Sequence, residues 1–174
     1  GGPSTPSYEK DCEQFFLDNP HVDIAVRGEG ELTFSDILDK LDIENAGGLD
    51  VLKDVEGLTY RGATGVVRTG NRDRIADLNT IPSPYLTGLF DEFGSVSAGA
   101  VIETNRGCPY GCTFCDWGSA TLSKVRRFEL DRVYAELEWS AKNQIQDASI
   151  ADANFGMLAR DVAITEKIAE LKSS

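Results

Sequence analysis

Three of the four cysteines of this 174-residue chain, Cys108, Cys112 and Cys115, fall in one short stretch, Glu103 to Gly118, and no other feature restricts the fold so tightly. Successive spacings of four and three place three thiols around one small concave point, and three cysteines cannot pair off as disulfides. That arrangement suits a metal or an iron-sulfur centre. The stretch is also built to wrap closely. Gly107 and Gly111 turn the backbone where a side chain would clash, Pro109 stiffens the first gap, and the amides between the cysteines are placed to point at sulfur. The alternative is a zinc site completed by Cys12 or by the lone histidine, His21. Structural zinc normally takes four protein ligands, often as two separated pairs, and no second CxxC pair exists in the sequence. Ligand count and softness favour iron-sulfur over zinc.

Composition narrows the partners. The 41% apolar content is ordinary for a globular core, and the net charge of -12 argues against the broad basic face that a phosphate backbone requires. No apolar run approaches the ~18 residues that a membrane span needs. Nucleic acid and bilayer are therefore not expected partners. The charge is unevenly spread: residues 1–100 carry 8 basic and 18 acidic groups, whereas Arg106, Lys124, Arg126 and Arg127 face only Asp116 between Thr104 and Phe128. Two readings of that basic cluster stand, an environment for an anionic group or a set of solvated arginines. Free thiols without a secretory signal fit a reducing cytoplasm. The chain opens on Gly1-Gly2-Pro3 without an initiator methionine and stops in a helical pattern, so it is expected to be a piece of a longer protein.

Periodicity gives an α/β organisation. Tyr8 to Asn19 has helical spacing of Cys12, Phe15 and Phe16 and stops at Asn19-Pro20. Val22 to Val26 reads as a short strand, Gly28-Glu29-Gly30-Glu31 as a turn, and Phe34, Ile37, Leu38 and Leu41 as the stripe of a helix capped by Thr33 or Ser35. Glu29 and Glu31 sit where the positive end of that helix favours carboxylates. Gly57–Tyr60 and Val66–Thr69 flank Gly62-Ala63-Thr64-Gly65 as a hairpin. Asp77 to Tyr85, with two prolines and no period, reads as a connector. Ala98 to Glu103 is the strand that delivers the cysteine loop. Leu130, Val133, Leu137 and Ala141, widened by Tyr134 and Trp139, mark a helix; Asp147 to Asp152 a second strand; Val162, Ile164, Ile168 and Leu171 a second helix. Strand, helix, strand, helix implies a parallel sheet. Asp152 and Asn154 follow the second strand at the edge where parallel barrels keep their chemistry, and they are expected either to face the cysteine loop or to cap the next turn.

With the aromatic Phe114 directly before Cys115, the pattern CxxxCx(aromatic)C after an apolar strand resembles the cluster loop of the radical S-adenosylmethionine (radical SAM) enzymes. The resemblance implies that Cys108, Cys112 and Cys115 hold three irons of a 4Fe-4S cluster whose fourth iron is chelated by S-adenosylmethionine (SAM). It further implies that Phe114 packs near the adenine, that Tyr110 or Trp117 walls the pocket, and that Asp152 and Asn154 lie near the amino group or ribose of SAM. No glycine-glycine-glutamate motif is present for the amino contact. Gly1-Gly2-Pro3, the first helix, Val22 to Val26 and the GEGE turn resemble the last segment of a cobalamin-binding domain fused before such a barrel. His21 does not match that family's cobalt-ligating DxHxxG motif and is read as an ordinary surface histidine.

The expected architecture is thus α/β: the C-terminal part of a doubly wound cobalamin-binding-like domain over 1–44, a hairpin and linker over 45–96, and the first two βα units of a six-unit radical SAM barrel over 97–174. The resemblance implies reductive cleavage of SAM to a 5'-deoxyadenosyl radical, methyl transfer with cobalamin as a further candidate cofactor, an unidentified small substrate, and a low-potential electron donor such as flavodoxin or ferredoxin. The isolated piece is expected to be inactive. The rival is a non-catalytic iron-sulfur or zinc module, or a fragment whose cysteines no longer meet metal.

Overall fold

In a computed structural model, the described residues are 5–6, 8–41, 48–90, 99–115 and 123–173. They form two compact units that divide between Ile75 and Ala76.

In the first unit, helix α1 (Glu9–Asp18) precedes strand β1 (Ile24–Val26), helix α2 (Glu31–Lys40) and the hairpin of β2 (Leu58–Gly62) and β3 (Gly65–Arg68). The hairpin forms as its sequence predicts, but it does not belong to a linker. β1 pairs antiparallel with β2, Ala25 opposite Thr59, giving one sheet in the order β1-β2-β3. The described part of this unit is therefore an antiparallel sheet with helices. Its core is Ile37, Leu52, Val55, Leu58 and Tyr60, all buried. Two arginines tie its loops together. Arg61 lies over the Phe16 ring at 5.1 Å and donates to Phe16 O in the last turn of α1 and to Asn19 O and Val22 O in the loop that follows it. Buried Arg27 donates to Leu58 O, Thr69 O and Gly70 O.

The α2 stripe is rotated from the expected one. Thr33 and Ile37 are buried, while Phe34 and Leu38 are more than half exposed. The Thr33 hydroxyl is spent on Glu56 O at 3.2 Å, and the N-cap is Gly30 without a side-chain cap, so neither Thr33 nor Ser35 caps this helix. Glu29 takes the amide of Ile75 at 2.8 Å.

In the second unit, β4 (Ala100–Ile102) and β7 (Ala148–Ile150) run parallel, with Val101 opposite Ser149. Helices α3 (Leu130–Lys142) and α4 (Arg160–Ser173) follow the two strands and pack on each other. Ala100, Ile102, Val133, Leu137 and Ile164 are buried as the periodicity predicts, with Phe128 added to them, whereas Ala141 and Val162 of the expected stripes are exposed. Glu136 is buried too, and tolerated there because Arg132 pairs with it at 3.1 Å. The connector over Asp77 to Tyr85 contains local structure. Asp77 caps a 3-10 turn, Leu78–Thr80, whose Asn79 accepts the Glu129 amide at the start of α3, and Ile81 O accepts from Arg132. The described residues contain no helix long and apolar enough to cross a membrane.

Candidate metal centre

The cysteine loop is rooted between two minute strands that the sequence did not disclose. β5 (Asn105–Arg106) pairs antiparallel with β6 (Arg126–Arg127), which closes the base of the excursion from 107 to 125. Gly107 starts it at φ +109, and a Cβ there would stand 2.7 Å from Lys124 O and 3.0 Å from Ser123 Oγ. Only glycine fits so close an approach of two backbones. Cys108 is then fixed by its backbone, its amide donating to Ser123 Oγ at 3.2 Å and its carbonyl accepting from the Ser123 amide at 2.8 Å. Further out, the Cys115 amide donates to Cys112 O at 3.2 Å.

The second strand delivers its two polar residues to this root. Asp152 accepts four hydrogen bonds: from the Thr104 amide and hydroxyl and from the Asn105 amide and side chain, at 2.5 to 3.1 Å. Its oxygens therefore lock the end of β4 onto the end of β7. Asn154, two residues on, donates its side-chain amide to Cys108 Sγ at 3.0 Å. Neither residue caps α4. Buried Asp161 takes the Gly156 and Leu158 amides at that end.

Each expected site residue can now be placed. Cys108 is half-buried, whereas Cys112 and Cys115 are exposed. Among the described residues no three cysteine, histidine, aspartate or glutamate side chains lie close enough together to hold a metal ion, so the expected convergence of the three sulfurs is not present. The described hydrogen bonds of the loop tie Cys108 to Ser123 and the Cys115 amide to Cys112 O, and none of them draws the three sulfurs together. Phe114 and Tyr110 are exposed, at 91% and 51%, and Trp117 lies outside the described residues. Cys12 is buried in α1 with its Sγ donating to Tyr8 O, as expected of a small hydrophobe. His21 is exposed. The basic excess around the loop is smaller than the sequence count, because Arg106 forms a bidentate pair with Glu103 at 2.9 Å. Thr104, Asn105 and Ser123 were not anticipated. Ordinary short polar residues carry no pattern that separates a loop anchor from a solvated surface.

The donor set fits an iron-sulfur centre: three thiols on one loop, a glycine cradle at its root, and an amide donor already on one sulfur. The second unit is a parallel βαβα element with these groups at one edge of its sheet, the arrangement of an α/β enzyme segment carrying a soft-metal loop. No protein family model matches the chain. Curated relatives do: 2-(S-pantetheinyl)-carbapenam-3-carboxylate methyltransferase of Streptantibioticus cattleyicolor is 39% identical over all of this chain, and the cobalamin-dependent radical SAM methyltransferase TokK of Streptomyces tokunonensis 40% over 99% of it. The chain spans about a quarter of the length of both relatives. Among solved structures, the cobalamin-dependent SAM radical enzyme OxsB aligns with 91% of the chain at TM-score 0.60 and 26% identity, covering 22% of OxsB. The radical SAM methyltransferase TsrM of Kitasatospora setae shares the fold at TM-score 0.61 over 94% of the chain, with 32% of TsrM covered and 16% identity. The chain belongs to the cobalamin-dependent radical SAM enzymes.

Proposed function

We propose that this chain is a segment of a cobalamin-dependent radical SAM methyltransferase, in which Cys108, Cys112 and Cys115 hold a 4Fe-4S cluster. The observation that carries the reading is the anchoring of the three-cysteine loop at the end of β4, beside Asp152 and Asn154 at the end of β7, in a chain 39–40% identical to two methyltransferases. When bound, such a cluster supplies one electron that splits SAM into methionine and a 5'-deoxyadenosyl radical.

The residues here hold and position. Cys108 is preset by Ser123 and Gly107, and Cys112 and Cys115 would join it in holding the cluster, because gathering of ligands and metal binding are coupled. Phe114, exposed on the same loop, would pack near the adenine of SAM, and Tyr110, also exposed, would wall the pocket. Asp152 keeps the loop at a fixed height above the sheet; with its oxygens engaged by Thr104 and Asn105, it supports the SAM site more than it contacts it. Val101 and Ser149, opposite each other and exposed, share one face of the parallel pair, and further βα units of a partial barrel would add strands at its open edge. Residues 1–44 correspond to the end of the cobalamin-binding-like domain, and the hairpin over 58–68 completes its sheet before a connector docks on the barrel segment.

The whole protein then transfers a methyl group to an unidentified small substrate in the cytoplasm, drawing electrons from a low-potential donor of the flavodoxin or ferredoxin kind. The net charge of -12 over this segment argues against a nucleic-acid-binding role for the segment. The segment by itself does not turn over. Anaerobic reconstitution of the complete chain with iron and sulfide tests the reading: iron, sulfide and a broad visible absorption are expected, lost in Cys108→Ala, Cys112→Ala or Cys115→Ala and kept in Cys12→Ala. Zinc in place of iron, or an intact cluster in Cys112→Ala, would overturn it. SAM cleavage under a strong reductant then separates an enzyme from a binding module.

A further inference from the structure

We propose that Asn154 is a positioning residue that sets the reduction potential of the metal centre through its hydrogen bond to Cys108. The inference rests on the iron-sulfur reading above and deepens it.

The geometry is specific. Asp152 is pinned by four hydrogen bonds to Thr104 and Asn105, so the start of the turn after β7 is held against the root of the cysteine loop. Two residues later the Asn154 amide reaches Cys108 Sγ at 3.0 Å, and Cys108 itself is held from its other side by Ser123. Both partners are only half-exposed, and the donor is the side-chain NH2 of Asn154. An amide N–H can give a hydrogen to sulfur but take none from it, which makes the direction of the bond unambiguous once the sulfur is a thiolate ligand.

A thiolate ligand carries more negative charge after the cluster gains an electron. A donor aimed at that sulfur therefore favours the reduced state, and hydrogen bonds to cluster sulfurs are among the groups that set the potential. Among the described hydrogen bonds, the loop sulfur with such a donor is that of Cys108. Removing one hydrogen bond to a charged acceptor is expected to lower the reduced-to-oxidised ratio about tenfold at a fixed ambient potential, a fall of about 59 mV for a one-electron couple.

The test uses the complete chain, reconstituted anaerobically, and its Asn154→Leu variant, which keeps the branched shape of the side chain and removes the donor. Iron and sulfide content and the EPR-monitored midpoint potential are measured for both. Full cluster content with a potential lower by about that amount supports the inference. Full content with an unchanged potential overturns it while leaving the metal-site reading intact. Absence of a cluster from the unmutated chain overturns both. Should the leucine variant assemble no cluster, pulsed EPR on the unmutated chain decides, with asparagine labelled by 15N: a coupling between the reduced cluster and an asparagine side-chain nitrogen supports the bond, and its absence overturns it.

Discussion

Asp152 and Thr104 lie 48 positions apart and are joined twice, the Thr104 amide donating to Oδ1 at 2.7 Å and its hydroxyl to Oδ2. With the two donors of Asn105, this makes a carboxylate surrounded by four hydrogens at the point where two parallel strands deliver their loops. Asp152→Asn is the informative change. An amide has one oxygen, and its NH2 would turn toward groups that are themselves donors. The variant is expected to lose about 2 kcal/mol, the range for hydrogen bonds to charged groups, and to retain less iron although all three cysteines remain. Differential scanning calorimetry with iron counting checks it. An unchanged melt with unchanged iron would show that the junction does not depend on the charge.

A second junction guards the other side of β4. The Tyr85 hydroxyl donates to Val101 O and accepts from Val101 N, both at 2.9 Å, doing for an edge strand what a neighbouring strand would do. The ring itself rests against Trp139 at 5.0 Å and Phe90 at 5.6 Å. Tyr85→Phe keeps those ring contacts and removes only the two hydrogen bonds. The expected cost is about 1 kcal/mol because the site is exposed, together with increased self-association through the unpaired edge. Sedimentation velocity beside a thermal melt measures both, and an unchanged melt with no new oligomer would remove the edge-guarding role.

The first unit offers a pH test. Burial at the core pushes the Tyr60 phenol upward, with the carboxylates of Asp50 and Asp54 adding to it. A raised folded pKa means that the neutral form is favoured on folding. The stabilisation is fully present below the unfolded value of about 10 and is lost as pH rises through the higher folded value. Tyr60→Phe is therefore expected to match the parent within about 1 kcal/mol at neutral pH and to lose less stability between pH 9 and 12. Urea titrations across that range provide the check; parallel alkaline losses in both proteins would refute the assignment.

Local periodicity made much of this architecture legible. Four helices, the hairpin and the two parallel strands stand where spacing put them, because each repeats a pattern within its own length. Pairings between distant segments were not legible. Nothing local in Ile24–Val26 says that it joins Leu58–Gly62 antiparallel, and two-residue strands of asparagine and arginine have no period at all. The α2 stripe failed for a related reason. The core beneath it takes Thr33, whose hydroxyl finds Glu56 O, so the buried face is set by a polar partner that hydrophobicity does not count. At the site, cysteine spacing identified the loop, and strand order placed Asp152 and Asn154 beside it. Their chemistry was not legible, since an aspartate that holds two strand ends and one that holds a ligand look alike in sequence.

Gly107 gives the sharpest test of how the loop is shaped. Its φ of +109 lies where side chains are strained, and a Cβ would meet Lys124 O at 2.7 Å, a backbone atom that cannot rotate away. Relief requires β5 and β6 to separate, and with them the two hydrogen bonds by which Ser123 fixes Cys108. Gly107→Ala should therefore impair the metal site without touching a ligand. Gly156 supplies the control, because it has φ +93 but nothing within 4 Å of its would-be Cβ. Gly156→Ala carries the backbone strain alone, about 1–2 kcal/mol, and should keep most of its cluster. Both variants of the complete chain, reconstituted side by side and assayed for iron, sulfide and melting temperature, separate steric closure of the loop from general strain. Equal losses in the two would mean that the contact with Lys124 is not what shapes the cysteine loop.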